Sequence, residues 1–230
     1  MSHSQVPASV AKARIWALGM VAVLVALHCA AHGHQAVVVA VTRGVLGLLG
    51  NLLPDSHRAM ALVTRLAESL AGQLSATAGA GVRIGVGEVA GDLHRADECR
   101  RTADLALRAL LSGNTSRAVA RLGEVAETAT MLQILDTLKE VPLPPELPVT
   151  RLAAYDAQHD SGLVDTLRAY LDHFSDLPAA ARALGVHPNT LRYRIRRLRE
   201  VCGIRLDDHE ARLLAQLQLR LMSRGSSGDR

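Results

Sequence analysis

The segment from Leu177 to Arg199, LPAAARALGVHPNTLRYRIRRLR, constrains this chain more than any other. It reads as two short helices joined by a tight turn. Ala181 is small enough for close approach, Gly185 permits a positive φ in the turn, and Val186 plugs the corner. Pro188 opens the second helix, where its missing N–H costs nothing. Leu191, Ile195, Leu198 and Cys202 recur at helical spacing as one apolar stripe. With that stripe inward, steps of about 100° place Asn189, Tyr193, Arg196 and, less squarely, Arg197 on the outward face. Arg192 and Arg199 fall on one flank, Thr190 and Arg194 on the other. Between Pro188 and Arg199 stand five arginines and no acid. A basic face on a turn-spaced helix pair predicts double-stranded DNA as partner, with helix 188–200 in the major groove; the competing reading is a solvated charge run.

The start of such a recognition helix meets the base edges, so Asn189, Thr190 and Tyr193 are the candidates for base reading. Packing is the alternative for Tyr193, a residue type that is often half buried. Arg196 suits a guanine or a phosphate, while Arg192, Arg197 and Arg199 suit phosphates. Arg194 lies nearer the core edge, and an intramolecular ion pair competes there with DNA contact. One helix pair reads a half-site, which predicts a homodimer.

The run ARALGVHPNTLRYRIRRL, followed by GIRLDDHEARLLAQLQLRL, resembles the C-terminal helix-turn-helix of the PucR/CdaR family of bacterial transcription regulators. It shares the wider spacing of Fis-type units, and the resemblance extends from about Leu163 to Leu221. It implies a sequence-specific regulator, not an enzyme, working without cofactor or metal. The family usually carries a basic residue where Pro188 stands, so one phosphate contact is missing or moved.

A length of 230 residues suffices for one large domain or two small ones. With 49% apolar but only 2% aromatic residues, the core must come from Ala, Leu and Val, which favours closely packed helices. The expected class is α+β, mostly helical: a small mixed domain followed by an all-α helix-turn-helix domain. All but two of the 26 basic residues are arginine, and the pI of about 9.3 suits a polyanionic partner. Cys29, Cys99 and Cys202 are scattered, with no C-x-x-C spacing, which indicates neither disulfide framework nor zinc knuckle and points to a reducing cytoplasm.

From Ile15 to Thr42 there is no Asp, Glu, Lys or Arg. Three readings compete: a signal peptide after Lys12 and Arg14, a membrane anchor over Ile15 to Ala31, and a buried helix from about Ser9 to Ala31 ended by Gly33. His28 stands where a lipoprotein cleavage site wants a small residue. The apolar run of 17 residues is short of the roughly 20 that a spanning helix needs. The buried helix is therefore expected, and a membrane-anchored regulator is its alternative. His28 and His32 have the i, i+4 spacing of metal ligands, but no four-ligand set accompanies them, so they read as a polar helix end.

AVVVAV (36–41) and VLGLL (45–49) around Thr42, Arg43 and Gly44 predict a hairpin. A helix from Asp55 or Ser56 to about Ala76 follows, striped by Met60, Val63, Leu66 or Ala67, Leu70 and Leu74. Gly79 to Gly81 ends it. VRIGV (82–86) is a strand, Ala96 to Leu111 a helix, and Thr115 to Lys139 continuous helix. Gly85 and Gly87 lack the G-x-G-x-x-G spacing of a phosphate loop and read as close backbone packing or a strand end. This order and VRIGVG resemble the degenerate GGDEF-like domain that precedes the helix-turn-helix in PucR/CdaR regulators, here over 15–140. The resemblance raises a nucleotide-binding alternative. The hairpin, AVTRGVL, carries no carboxylate for Mg²⁺, so cyclase chemistry is not expected. The domain's usual first strand is not evident, and the chain reads as beginning at its first helix after a flexible 1–14, without a sensory segment before residue 15.

Four of the eight prolines fall in VPLPPELP, predicting a linker over 141–148. The DNA-binding domain is expected over 149–222, with a short helix from Arg151 to Ala157. Ser161 then caps a helix striped by Leu163, Leu167, Leu171 and Phe174. Asp176 caps the next, Gly203 closes the recognition helix, and Asp207 or Asp208 caps a last helix bearing Leu213, Leu214, Leu217 and Leu221. A disordered tail is expected over 223–230.

Overall fold

A computed structural model describes residues 21–41, 44–50, 52, 55–78, 81–112 and 115–227. The fold is α+β and mostly helical, with two small sheets among the described residues. Contacts divide the chain into two compact units, Met1–Met131 and Leu132–Arg230.

In the first unit, residues 21–31 form helix α1. Gly33, at φ 77°, stops it as expected. The earlier part of the expected helix, and with it Ile15–Met20 of the possible anchor, lies outside the described residues. Among the described residues no helix is long and apolar enough to cross a membrane. His28 Nδ1 lies 3.0 Å from Gln73 Oε1 and His32 Nδ1 lies 2.8 Å from the His28 carbonyl, so both imidazoles are held within the protein.

Strands β1 (Ala36–Val41) and β2 (Gly44–Leu49) form the expected antiparallel hairpin, Val41 opposite Gly44. Its loop, Thr42 and Arg43, lies outside the described residues. Helix α2 (Ser56–Ala78) is capped by Asp55, whose Oδ1 accepts from the His57 and Arg58 amides at 2.9 and 3.2 Å. Its buried line is Ala59, Leu66, Ala67, Ala71 and Leu74; Met60, Val63 and Leu70 only flank it.

Strand β3 (Ile84–Val86) is followed by a 3₁₀ turn (Leu93–Arg95) and helix α3 (Ala96–Ser112). Gly85 and Gly87 sit hard against α3. A Cβ on Gly85 would collide with the Ala103 carbonyl and come within 2.9 Å of Leu107 Cβ; one on Gly87 would strike the Cys99 carbonyl. These glycines therefore set the helix–strand distance, the packing role expected of them.

Past α3 the structure corrects the expected continuous helix. Val119–Arg121 is a strand, β4, parallel to β3 with Ile84 opposite Val119. A 3₁₀ turn (Leu122–Val125) leads into helix α4 (Ala126–Lys139). The apolar spacing of Val119, Leu122 and Val125 imitates a helix. The break is made by Glu124, whose carboxylate turns back to accept from the Arg121 amide at 2.9 Å. That bond, reinforced by the Arg121 and Arg117 guanidiniums, holds the Glu124 carboxyl below the usual carboxylate range. Helices α2 and α3 both pack on β3 and β4.

The second unit contains α5 (Pro148–His159), α6 (Leu163–Asp172), α7 (Leu177–Ala183), α8 (Pro188–Cys202) and α9 (His209–Ser227). One core unites them, built on Val149, Leu152, Leu163, Leu167, Leu171, Leu191 and Leu198 among others. Two expectations for α6 are corrected. Ser161 is not its cap: Gly162 takes that position at φ 64°, and the acceptor comes from the preceding helix. Asp156 accepts from the Leu163 and Val164 amides at 3.1 and 2.7 Å and from the Ser161 hydroxyl. Phe174 does not extend the stripe either. Helix α6 ends at Asp172, and Phe174 stands at φ 53° in the turn, 97% exposed. In α9, Asp208 is the cap, accepting from the Glu210 and Ala211 amides. Leu213 faces solvent, and Ala215, Gln218 and Leu219 are the buried line. The helix runs to Ser227, into the segment expected to be a disordered tail; residues 228–230 lie outside the described residues.

Candidate nucleic-acid interface

Asp176 starts α7 by accepting from the Ala179 amide at 3.0 Å. Seven residues later the chain leaves the helix through Leu184 and Gly185, the latter at φ 65°. The Val186 amide returns to the Ala181 carbonyl at 3.0 Å, closing the turn, while Ala180 and Ala181 are buried where the helices meet. Pro188 then occupies the first turn of α8. The cap is His187, which sequence reasoning passed over: its backbone is extended, as a residue before proline must be, and its Nδ1 accepts from the Asn189 amide at 3.2 Å. The X-Pro pair was the available signal, but histidine is not among the common caps.

Leu191, Ile195, Leu198 and Cys202 are all buried, so the expected stripe is the inward face. Burial pushes the Cys202 thiol up, and its Sγ bonds to the Leu198 carbonyl. The inward stripe leaves Asn189, Thr190, Arg192, Tyr193, Arg196, Arg197 and Arg199 exposed, Tyr193 by 59%, and Arg194 half-buried. Tyr193 is thus on the surface rather than in the core. The Arg196 guanidinium carbon lies 5.6 Å from its ring centroid, a cation–π pair that stiffens the outer face. Arg192 Nη1 donates to Asn189 Oδ1 at 2.8 Å, orienting the amide at the head of the helix.

Arg197 differs from the other arginines. It donates to Tyr155 Oη of α5 at 3.1 Å and to Glu200 Oε2 at 3.2 Å, and those two oxygens raise the pKa of its guanidinium. Among the described residues Arg194, Arg196 and Arg199 form no ion pair with a carboxylate. The half-buried position of Arg194 therefore comes without the intramolecular partner that had been its alternative.

Residues 163–221 match the PucR C-terminal helix-turn-helix domain, which begins at the first residue of α6 and ends within α9. Over 73 residues, 32% of the chain, the protein is 30% identical to the DNA-binding transcriptional activator AdeR of Bacillus subtilis and spans 17% of that protein. It is 37% identical over 73 residues to the proline-responsive transcriptional activator PutR of the same organism, spanning 18% of it. The chain thus covers less than a fifth of either relative. The crystal structure of the regulator of polyketide synthase expression from Bifidobacterium adolescentis superposes with a TM-score of 0.31 at 16% identity, over 90% of this chain and 80% of that one, too loosely to define a common fold.

Proposed function

We propose, on the premise that residues 163–221 are a PucR-type helix-turn-helix domain, that the protein is a sequence-specific DNA-binding regulator of transcription. The observation that carries this reading is the outer face of α8. It gathers Arg192, Arg196, Arg197 and Arg199 around exposed Asn189, Thr190 and Tyr193, with the first acid only at Glu200. Asn189, Thr190 and Tyr193 read base edges, while Arg196 takes a guanine or a phosphate. Arg192, Arg197 and Arg199 neutralise phosphates, and Arg194 joins them from the flank. DNA-binding domain 149–222 follows linker 141–148 and a GGDEF-like domain without the acidic hairpin of a cyclase. The protein acts in the cytoplasm, as a homodimer on two half-sites, without enzymatic activity.

Selection of bound sites from random duplex DNA by the purified protein tests this directly. Recovery of a motif repeated about one helical turn apart supports a dimeric reader; recovery of no motif rejects sequence-specific binding. In a salt titration, Arg192→Ala with Arg199→Ala should flatten the slope of log affinity by about 0.9 per lost phosphate contact. An unchanged slope rejects the phosphate role.

A further inference from the structure

Three side chains of α5, Arg151, Tyr155 and His159, recur at i, i+4 and i+8, and the first two reach α8 at two separate points. At its C-terminal end, Arg151 Nη2 donates to the Cys202 carbonyl, one of the last-turn acceptors that the helix itself leaves unpaired. A guanidinium there also meets the negative end of the helix dipole. Less than two turns earlier, Tyr155 takes hold of Arg197. Its hydroxyl oxygen accepts from Nη2 at 3.1 Å, and its ring centroid lies 5.8 Å from the guanidinium carbon. The ring is itself backed by His159, stacked at 4.0 Å and 13°, whose Nδ1 pairs with the Tyr155 carbonyl at 2.9 Å. Beneath these contacts Val149 and Leu152 anchor α5 in the shared core. All of α5 precedes the matched residues 163–221.

An arginine on a free helix surface samples many rotamers and must give them up to grip one phosphate. Arg197 has given up much of that freedom before any DNA arrives. Glu200 and Tyr155 hold Nη1 and Nη2, while the side chain stays 44% exposed. Glu200 lies on the same helix and moves with it. Among the described residues Tyr155 alone ties the guanidinium to another element.

We propose that Tyr155 is a positioning residue for DNA binding: from α5, outside the matched domain, it holds Arg197 in the orientation in which that arginine meets a backbone phosphate. The proposal rests on α8 being the DNA-facing helix, and the test separates the two. The full chain is titrated with a mixed-sequence duplex as wild type, Tyr155→Phe, Arg197→Gln and the double variant, with thermal melting alongside. Tyr155→Phe keeps the ring, the stacking and the core, and removes only the acceptor oxygen. It should weaken binding about three- to tenfold in the wild-type background and add nothing in the Arg197→Gln background, melting unchanged. Equal losses in both backgrounds would make Tyr155 merely structural and overturn the proposal, as would no loss in either. Absence of salt-dependent binding by the wild type would instead remove the DNA-facing reading itself. Should Tyr155→Phe melt early, Arg197→Lys probes the same point without touching α5. It keeps the charge but not the fork that Tyr155 grips, so it should also lose about three- to tenfold; full affinity overturns the proposal.

Discussion

At Phe174 the backbone occupies the left-handed region, φ 53°, and the residue is 97% exposed. Ser175 follows at φ 65°, so two consecutive non-glycine residues make the turn from α6 into α7. A side chain in that region costs about 1–2 kcal/mol unless it is Gly, Asn or Asp. The turn must stay, because Asp176 caps the next helix immediately after it. Phe174→Asn should therefore raise thermal stability by about 0.5–1 kcal/mol, read as a melting temperature a few degrees higher. A lower melting temperature would mean that the ring contributes packing to the folded state. Periodicity placed Phe174 at the end of an apolar stripe, since the letter pattern has no means of showing that α6 stops two residues earlier.

At the level of elements, helix α8 was readable almost completely and the β3–α3–β4 unit was not. The stripe of α8 is fixed by four apolar residues at unbroken helical spacing, and burial selects that face without help from elsewhere in the chain. Strand β4 is three residues long, and its residues fit a helical pattern equally well. Its identity comes from β3, more than thirty positions away in sequence, and from the Glu124 side chain bonding back to Arg121. Similarly, Asp156 rather than Ser161 serves α6: the carboxylate that accepts from the Leu163 and Val164 amides belongs to another helix. The glycines of VRIGVG were legible as close packing, and their consequence is sharp. Gly85→Ala forces a methyl into the α3 backbone, which cannot yield like a flexible side chain. A loss of about 1–3 kcal/mol is expected, measurable as faster amide exchange in β3 and α3 while α5–α9 keep their protection. Unchanged exchange in β3 would show that the helix can back away.

For the molecule as a whole, acid should act on both units at once. Glu124 in the first unit and Asp208 in the second are each held below the ordinary carboxylate range, chiefly by backbone amides: Arg121 for the one, Ala211 and Glu210 for the other. A carboxyl with a depressed folded pKa binds fewer protons folded than unfolded. Its stabilisation is thus complete above the unfolded value, about 4, and disappears as pH falls through the folded one. Denaturant midpoints of wild type and a Glu124→Gln, Asp208→Asn double variant should differ at pH 7 and converge on acidification. A gap that persists in acid would assign the effect to lost geometry rather than charge.

The two bonds that Asp156 accepts from the first amides of α6 carry a consequence for where this domain can be cut. The match to the helix-turn-helix domain begins at Leu163, yet the acceptor for the Leu163 and Val164 amides sits at 156, and the fully buried Val149 and Leu152 lie earlier still. A fragment excised at the edge of that match would start with frayed amides and an uncovered apolar floor beneath α8. The matched residues and the residues that share this core are therefore different lengths of chain, and the longer one includes α5 from Pro148.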